Sequence, residues 1–296
     1  MNRRKSYRYQ VVDVFTQVPL EGNPLAVFPD AADLPAPVMQ RIARELSLSE
    51  TVFIVGTRRD DCVARLRIFT PGKEMDFAGH PTVGTGFLLV QHGFVAPQTR
   101  HFQVEENVGA VPISVDEQDP AMLWLRTPSV QDGPTIEREN AATLLGLAPS
   151  ELAHPTPQIL SAGNPTLFVA LKDKPAVDKA SLEGSAWTAI KRQHHPDPMC
   201  TFVFAPTPDG AYSRMFAPDY GIAEDPATGS STGPLAVYMM RHGLTSPRAG
   251  HRFVNEQGAR MGRRSLLHVR VHGESGKDGI DVGGFVTPVI DGQMHI

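Results

Sequence analysis

The sequence predicts a mixed α/β fold of two homologous domains related by a pseudo-twofold, each a strand barrel or sheet wrapped around a central helix. Three observations carry this. The chain repeats itself: Gly22-Asn23-Pro24 recurs as Gly163-Asn164-Pro165, and Thr51-Val52-Phe53-Ile54-Val55 as Thr201-Phe202-Val203-Phe204-Ala205. Arg67-Ile68-Phe69-Thr70-Pro71 recurs as Arg214-Met215-Phe216-Ala217-Pro218, and the segment from Gly79-His80 to His92-Gly93 as that from Gly229-Ser230 to His242-Gly243. The displacements are 141, 150, 147 and 150 residues, so the blocks keep their order and nearly keep their spacing. Secondly, strand-like alternation and helical spacing follow one another in the same sequence of events in both halves. Thirdly, each half has a glycine-led helix too apolar all round for a surface.

A repeat of this length is too long for a solenoid unit, and two copies are too few for an array, so two homologous domains are expected with a site in the cleft between them. In order, Tyr7 to Phe28 reads as strand, turn, strand, punctuated by Pro19-Leu20-Glu21-Gly22-Asn23-Pro24. Met39, Ile42, Ala43 and Leu46 fall at i, i+3, i+4 and i+7 and predict a helix over 37–46. Thr51 to Val55 is β-branched and aromatic, which sets Glu50 at the mouth of a strand. Val63 to Phe69 is a strand, Pro71 to Gly79 a loop, and Pro81 to His92 an apolar helix closed by Gly93. Val104 to Val115 and Met122 to Leu125 complete the first domain. The domains are expected at 1–126 and 127–296, with a return of the C-terminal strand to the first domain left open. Thr127 to Pro134 is read as the crossover. A helix over 137–147 opens the second copy, Asp219 to Ala227 is read as a loop, and Leu266 to Val271, Ile280 to Gly284 and Val286 to Ile290 as strands.

Bulk properties exclude several classes of function. The 296 residues are 41% hydrophobic and 20% charged, enough for a chain of this size to bury about 75% of its unfolded surface. A net charge of −4 and the lack of a basic stripe argue against nucleic acid. Met1-Asn2-Arg3-Arg4-Lys5 is not followed by a continuous apolar run, so it reads as a solvated tail; no run approaches a membrane span, and a cytoplasmic protein is expected. Cys62 and Cys200 read as small packed residues, with one reservation: Cys200 stands at the repeat position of Glu50. The eleven histidines form no ligand cluster, His194-His195-Pro196 looks like loop, and neither metal nor cofactor is implied. Gly79 to Gly86 lacks the glycine spacing and following acid of a dinucleotide fingerprint.

The copies differ at a few polar positions. Glu50 faces Cys200, His80 faces Ser230, and Asp225 has no acidic counterpart at Met75. Gly79-His80-Pro81-Thr82 and Gly229-Ser230-Ser231-Thr232 place unpaired N–H groups and the positive end of a dipole where a carboxylate could bind. The plain alternative is that these are ordinary starts of buried helices. Glu50, His80 and Asp225 are the candidate chemical groups, a carboxylate at a strand mouth being suited to take and return a proton; Glu50 as a loop residue and Asp225 as a turn residue are the alternatives. Gly229-Ser230-Ser231-Thr232-Gly233 formally matches a serine-hydrolase elbow, but that motif needs a strand directly before it, and the loop expected at 219–227 argues against it.

At these residues the chain resembles the PhzF-like family of phenazine-biosynthesis isomerases. The resemblance covers nearly the whole length. It rests on the segments from Pro19 to Phe28, Ile42 to Thr51, Phe69 to Pro71, Phe77 to Pro81 and Glu224 to Ser230, with Met261-Gly262-Arg263 and Val282-Gly283-Gly284 near the end. It implies the diaminopimelate-epimerase fold, a homodimer and no cofactor. It also implies that Glu50 is the general acid/base, that His80 and Asp225 bind and polarise the substrate, and that Asn23, Gly79, Gly229 and Ser230 belong to the pocket for a small carboxylic acid. The reaction it implies is isomerisation of trans-2,3-dihydro-3-hydroxyanthranilate through an enol to a ketone. Two other readings stay open at this point: a two-base racemase or epimerase using Glu50 with Cys200, and a protein that binds a small acid without turning it over.

Overall fold

The structure is a computed structural model that describes residues 5–194 and 198–296. Met1 to Arg4 of the basic cluster and His195-Pro196 lie outside the described residues. The elements of the first half are β1 (Ser6–Val14), β2 (Asn23–Phe28), α1 (Ala36–Leu46), β3 (Glu50–Val55), β4 (Arg65–Phe69), β5 (Glu74–Met75), α2 (Gly79–Gln91), β6 (His101–Glu106), β7 (Gly109–Val115) and β8 (Met122–Arg126). There follow β9 (Gln131–Thr135), α3 (Arg138–Leu144), β10 (Gln158–Ser161), β11 (Pro165–Ala170), α4 (Lys174–Lys179), α5 (Gly184–His194), β12 (Cys200–Thr207) and β13 (Gly210–Ala217). The last are β14 (Ile222–Asp225), α6 (Gly229–Arg241), β15 (Arg252–Gln257), β16 (Ser265–Val271) and β17 (Ile280–His295). The chain divides into two compact units, residues 5–126 with 283–296, and residues 127–282.

In the first unit eight strands close a ring. β1 pairs antiparallel with β2 on one side and β17 on the other, with Val12 opposite Leu25 and Pro288. β2 runs parallel to β3 with Leu25 opposite Glu50, β3 is antiparallel to β4, and β4 meets β6 at Arg65 and Glu105. Then β6, β7 and β8 follow as a meander, and β8 returns to β17. Helix α2 is buried over nearly its whole length, from Gly79 to Leu89 apart from Phe87. It lies so close to the strands that a Cβ at Gly84 would stand 2.7 Å from the side chains of both Leu25 and Val14. A glycine is needed there for packing. Outside the ring, α1 buries Met39, Ile42 and Ala43 against Phe28, Phe53 and Phe69, the helical spacing expected from the sequence. Phe28 and Phe53 stack at 5.0 Å.

The second unit repeats the plan. β10 pairs with β9 and β11, β11 runs parallel to β12 with Thr166 opposite Cys200, and β12 is antiparallel to β13. β13 then runs parallel to β15, and β15 antiparallel to β16. Helix α6 is buried against this sheet, and a Cβ at Gly233 would come within 2.4 Å of the Thr127 side chain. On the other face α3, α4 and α5 cover Val203, Ala205, Tyr212 and Phe216.

Several local expectations are corrected. The segment 104–115, given no internal division from the sequence, is a hairpin in which Asn107 and Val108 turn the chain between β6 and β7. The crossover 127–134 contains most of β9, whose partner β10 supplies hydrogen bonds that no local pattern reveals. The loop expected at 219–227 contains β14, paired with β13 at Met215 and Asp225. The tail strands expected at 280–284 and 286–290 are one strand, β17, with a register shift where it passes Val11 and Val12.

Candidate active site

Parallel pairing of β2 and β3 puts the starts of both strands at one end of the first unit. Asn23 opens β2 and Glu50 opens β3. Each is set by local backbone geometry. Gly22 holds φ +67°, and a Cβ there would meet the Val14 carbonyl oxygen at 2.5 Å, so glycine alone lets the turn enter β2. Ser47 closes α1 at φ 53°, reversing the chain into β3. His80 arrives from the first turn of α2, immediately after Gly79.

The three side chains form a line. Asn23 Nδ2 stands 3.2 Å from His80 Nδ1, and His80 Nε2 stands 3.4 Å from Glu50 Oε2. Burial pushes the His80 pKa down to about 3, so the ring is neutral at ordinary pH and the contact with Glu50 is polar, not an ion pair. With the Asn23 amide donating to Nδ1, the single ring proton sits on Nε2 and faces the Glu50 carboxylate. An amide N–H at Nδ1 favours the tautomer with its proton on Nε2, which lies 3.4 Å from Glu50 Oε2 without forming a hydrogen bond to it.

The second unit has the same scaffold with different groups. Asn164 Nδ2 donates to Ser230 Oγ at 3.4 Å, in the geometry by which Asn23 meets His80, and Tyr220 OH donates to Asn164 Oδ1 at 3.5 Å. Cys200 opens β12 as Glu50 opens β3, and Asp225 ends β14 opposite Met215, as Met75 in β5 lies opposite Ile68. Asp225 is buried and accepts from Thr228 Oγ1 at 2.5 Å. Gln257 braces this turn: its Nε2 donates to the Asp225 carbonyl at 2.8 Å and to Thr228 Oγ1 at 3.0 Å, and its Oε1 accepts from the Thr228 N–H at 3.1 Å. Neither α2 nor α6 carries a side-chain hydrogen bond from its N-cap residue, Ala78 or Thr228. The first-turn N–H groups are thus not consumed by a conventional cap.

The structure gathers the sequence candidates into two sets, Asn23, Glu50, Gly79 and His80 in the first unit, and Asp225, Gly229 and Ser230 in the second. Asn164, Tyr220, Thr228 and Gln257 were missed. Asn164 was legible, since Gly163-Asn164-Pro165 repeats the triplet that contains Asn23; the others act through contacts across 29 to 56 residues. The serine-elbow reading loses its stated objection, because β14 does precede α6. It fails for another reason: Ser231, the motif serine, is buried in the first turn of α6 and shares its hydroxyl with Thr166 Oγ1 at 3.0 Å, with no histidine partner among the described residues. Among the described residues no three His, Cys, Asp or Glu side chains are grouped to hold a metal ion, and no helix is long and apolar enough to cross a membrane.

Two repeated units, each with strands folded over a buried glycine-led helix, define a protein of the diaminopimelate-epimerase-like fold. A hydroxyproline epimerase from Agrobacterium vitis shares it with a TM-score of 0.67 at 12% identity, over 98% of this chain and 93% of that one. The chain belongs to the PhzC-PhzF family of phenazine biosynthesis-like proteins, whose model matches residues 12–292. A PhzF-family phenazine biosynthesis protein from Bacillus anthracis superimposes with a TM-score of 0.86 at 26% identity, covering 99% of this chain and all of that one. A trans-2,3-dihydro-3-hydroxyanthranilate isomerase from Pseudomonas fluorescens is 36% identical, over 91% of this chain and 92% of that protein. The protein is an isomerase of this family.

Proposed function

We propose that the protein is a cofactor-independent isomerase that moves a proton between two carbons of a small carboxylic acid, with Glu50 as the single general acid/base. The observation that carries this is the Asn23, His80, Glu50 line. A buried carboxylate at a strand mouth can remove a proton from carbon and, once protonated, return it elsewhere. A neutral His80 with its proton on Nε2 orients that carboxylate without the charge that would tie it into an ion pair and weaken it as a base. Asn23 acts through His80 by fixing the tautomer. His80 and Asp225 are proposed to hold polar groups of the substrate, and Gly79, Gly229 and Ser230 its carboxylate, through first-turn N–H groups and the Ser230 hydroxyl.

The leading substrate is trans-2,3-dihydro-3-hydroxyanthranilate, on the strength of the named relatives at about one-third identity. The isomerisation conserves composition: one C–H bond breaks, one forms, and the double bonds shift between them. The test is NMR of that compound in D₂O with the wild type and with Glu50→Gln. Deuterium in the product at one carbon, dependent on Glu50, supports both the reaction and the base. Exchange without isomerisation, abolished by thiol alkylation, would replace this reading with a two-base racemase using Cys200, the residue in the register position of Glu50. Binding without exchange would leave a small-acid-binding protein.

A further inference from the structure

We propose that Glu106 is a neutral carboxylic acid in the folded protein and is a positioning residue for His80, holding the first turn of α2 through the Thr82 hydroxyl. Thr82 Oγ1 lies 2.7 Å from the Ala78 carbonyl oxygen and 2.5 Å from Glu106 Oε1. A carbonyl can only accept, and a hydroxyl has one proton. When Thr82 donates to Ala78, the second short contact needs a proton from the other side, and Glu106 is the group able to supply it. A carboxylate would set two acceptors against one donor. Glu106 Oε2 makes no hydrogen bond, an arrangement tolerable for the carbonyl oxygen of an acid and costly for half of a buried negative charge.

The internal repeat supports the same assignment independently. Thr232, the counterpart of Thr82, donates to the Thr228 carbonyl at 3.0 Å, and its hydroxyl accepts at 3.2 Å from Asn255 Nδ2, a group that can only donate. The residue in the strand position of Glu106 is Gln257, which accepts from the N–H of Thr228 at 3.1 Å. Where the second unit sets two neutral amides, the first sets one neutral carboxyl that donates to the threonine hydroxyl.

No charged side chain among the described residues acts on Glu106. Its neighbour Glu105 pairs with Arg65 at 2.9 Å and with Thr57, as expected for the opposite face of β6. On α2 the nearest titratable group is His80, engaged with Asn23 and Glu50. Burial, opposed by the contacts of Thr82 and the Ala78 N–H, pushes the carboxyl up to about 8 from an ordinary 4.5. The folded protein therefore holds a proton that the unfolded chain releases. The resulting stability is complete below pH 4.5 and is lost as pH rises through about 8. Ala78 and Thr82 flank His80 by two residues on either side, so ionisation of Glu106 disturbs the turn that carries the ring.

The test is infrared spectroscopy of the wild type at pH 7 with and without ¹³C-labelled glutamate, and of Glu106→Gln. The expected result is a protonated-carboxyl band that shifts with the label, is absent from Glu106→Gln, and disappears near pH 8. Glu106→Gln, matching the amide of the second unit, keeps its thermal midpoint between pH 6 and 9 while that of the wild type falls. The His80 ring ¹⁵N resonances follow the titration in the wild type only. Absence of the band at pH 7 in the labelled wild type overturns the proposal even if the variant fails to fold, and so does an unchanged pH dependence in Glu106→Gln. Only the consequence for turnover rests on the isomerase reading; infrared and NMR need no substrate, so either can fail without the other.

Discussion

The starts of α2 and α6 are built alike and equipped differently. At both, an asparagine from a Gly-Asn-Pro turn reaches the second residue of the buried helix, Asn23 to His80 at 3.2 Å and Asn164 to Ser230 at 3.4 Å. At both, a threonine one turn along donates back to the N-cap carbonyl. What changes is the reactive group: glutamate against cysteine at the mouth of the paired strand, and methionine against aspartate in the following hairpin. The helix interior differs too. Gly84 stands where α6 has Pro234, and a proline has no N–H for the carbonyl of Ser230 four residues before it. The repeat keeps the positioning parts and exchanges the polar groups at the strand mouth and the hairpin.

The comparison breaks most sharply at Glu50. Under the isomerase reading, Glu50→Gln lowers turnover by roughly 10²- to 10⁴-fold with the thermal midpoint little changed, whereas Cys200→Ser leaves turnover intact. Comparable losses in both variants would show that the two halves share the acid/base work. Next in size is a difference in stability. Arg67 and Arg214 make matching bidentate pairs with Glu74 and Glu224 and matching contacts over Phe69 and Phe216. Arg214 also donates to the carbonyls of Val177, Asp178 and Ala180. Arg214→Met is expected to cost about 3 kcal/mol, because it strands buried acceptors, and Arg67→Met about 1 kcal/mol; denaturant unfolding of the two variants measures the gap.

Smaller again is the effect of the asparagines. Asn23→Ala removes the donor that sets the His80 tautomer and should cost about 1 to 2 kcal/mol, read as a roughly tenfold fall in kcat/KM. Asn164→Ala, which loses a longer bond to a hydroxyl, should cost less. Equal losses would mean that Asn23 does no more than pack. The mildest effect near neutrality is that of pH on His80. Its pKa is depressed in the fold to about 3 from 6.5, so the stability it contributes is full above pH 6.5 and is lost as pH falls towards 3. Acid titration followed by circular dichroism should show this slope in the wild type and its reduction in His80→Gln.

Much of the arrangement was legible because it is local. The helical spacing of Met39, Ile42, Ala43 and Leu46, the β-branched run after Glu50 and the apolar helices led by Gly79 and Gly229 each state their structure within one window. The repeat then named Glu50, Cys200, His80 and Ser230 as counterparts: β-pairing puts Glu50 and Cys200 at matching strand starts, and His80 and Ser230 are each the second residue of a buried helix. The strand β14 was not legible, since Ile222 to Asp225 owes its conformation to β13 and not to its own alternation. Nor was β9, whose Gln131-Asp132-Gly133-Pro134-Thr135 has the composition of a turn and becomes a strand by pairing with β10.

By itself, then, the sequence determined the two-fold plan, the buried helices and the identity of the exchanged polar residues, all of which follow from periodicity and self-comparison. Tertiary structure alone decided protonation and partnership: that burial keeps His80 neutral, that Asn23 meets its Nδ1 while Nε2 lies beside Glu50, and that Glu106 is joined to Thr82 across 24 residues. The physical reason is that charge state depends on desolvation and on donors brought from distant segments, and neither is written in the neighbours of a residue along the chain.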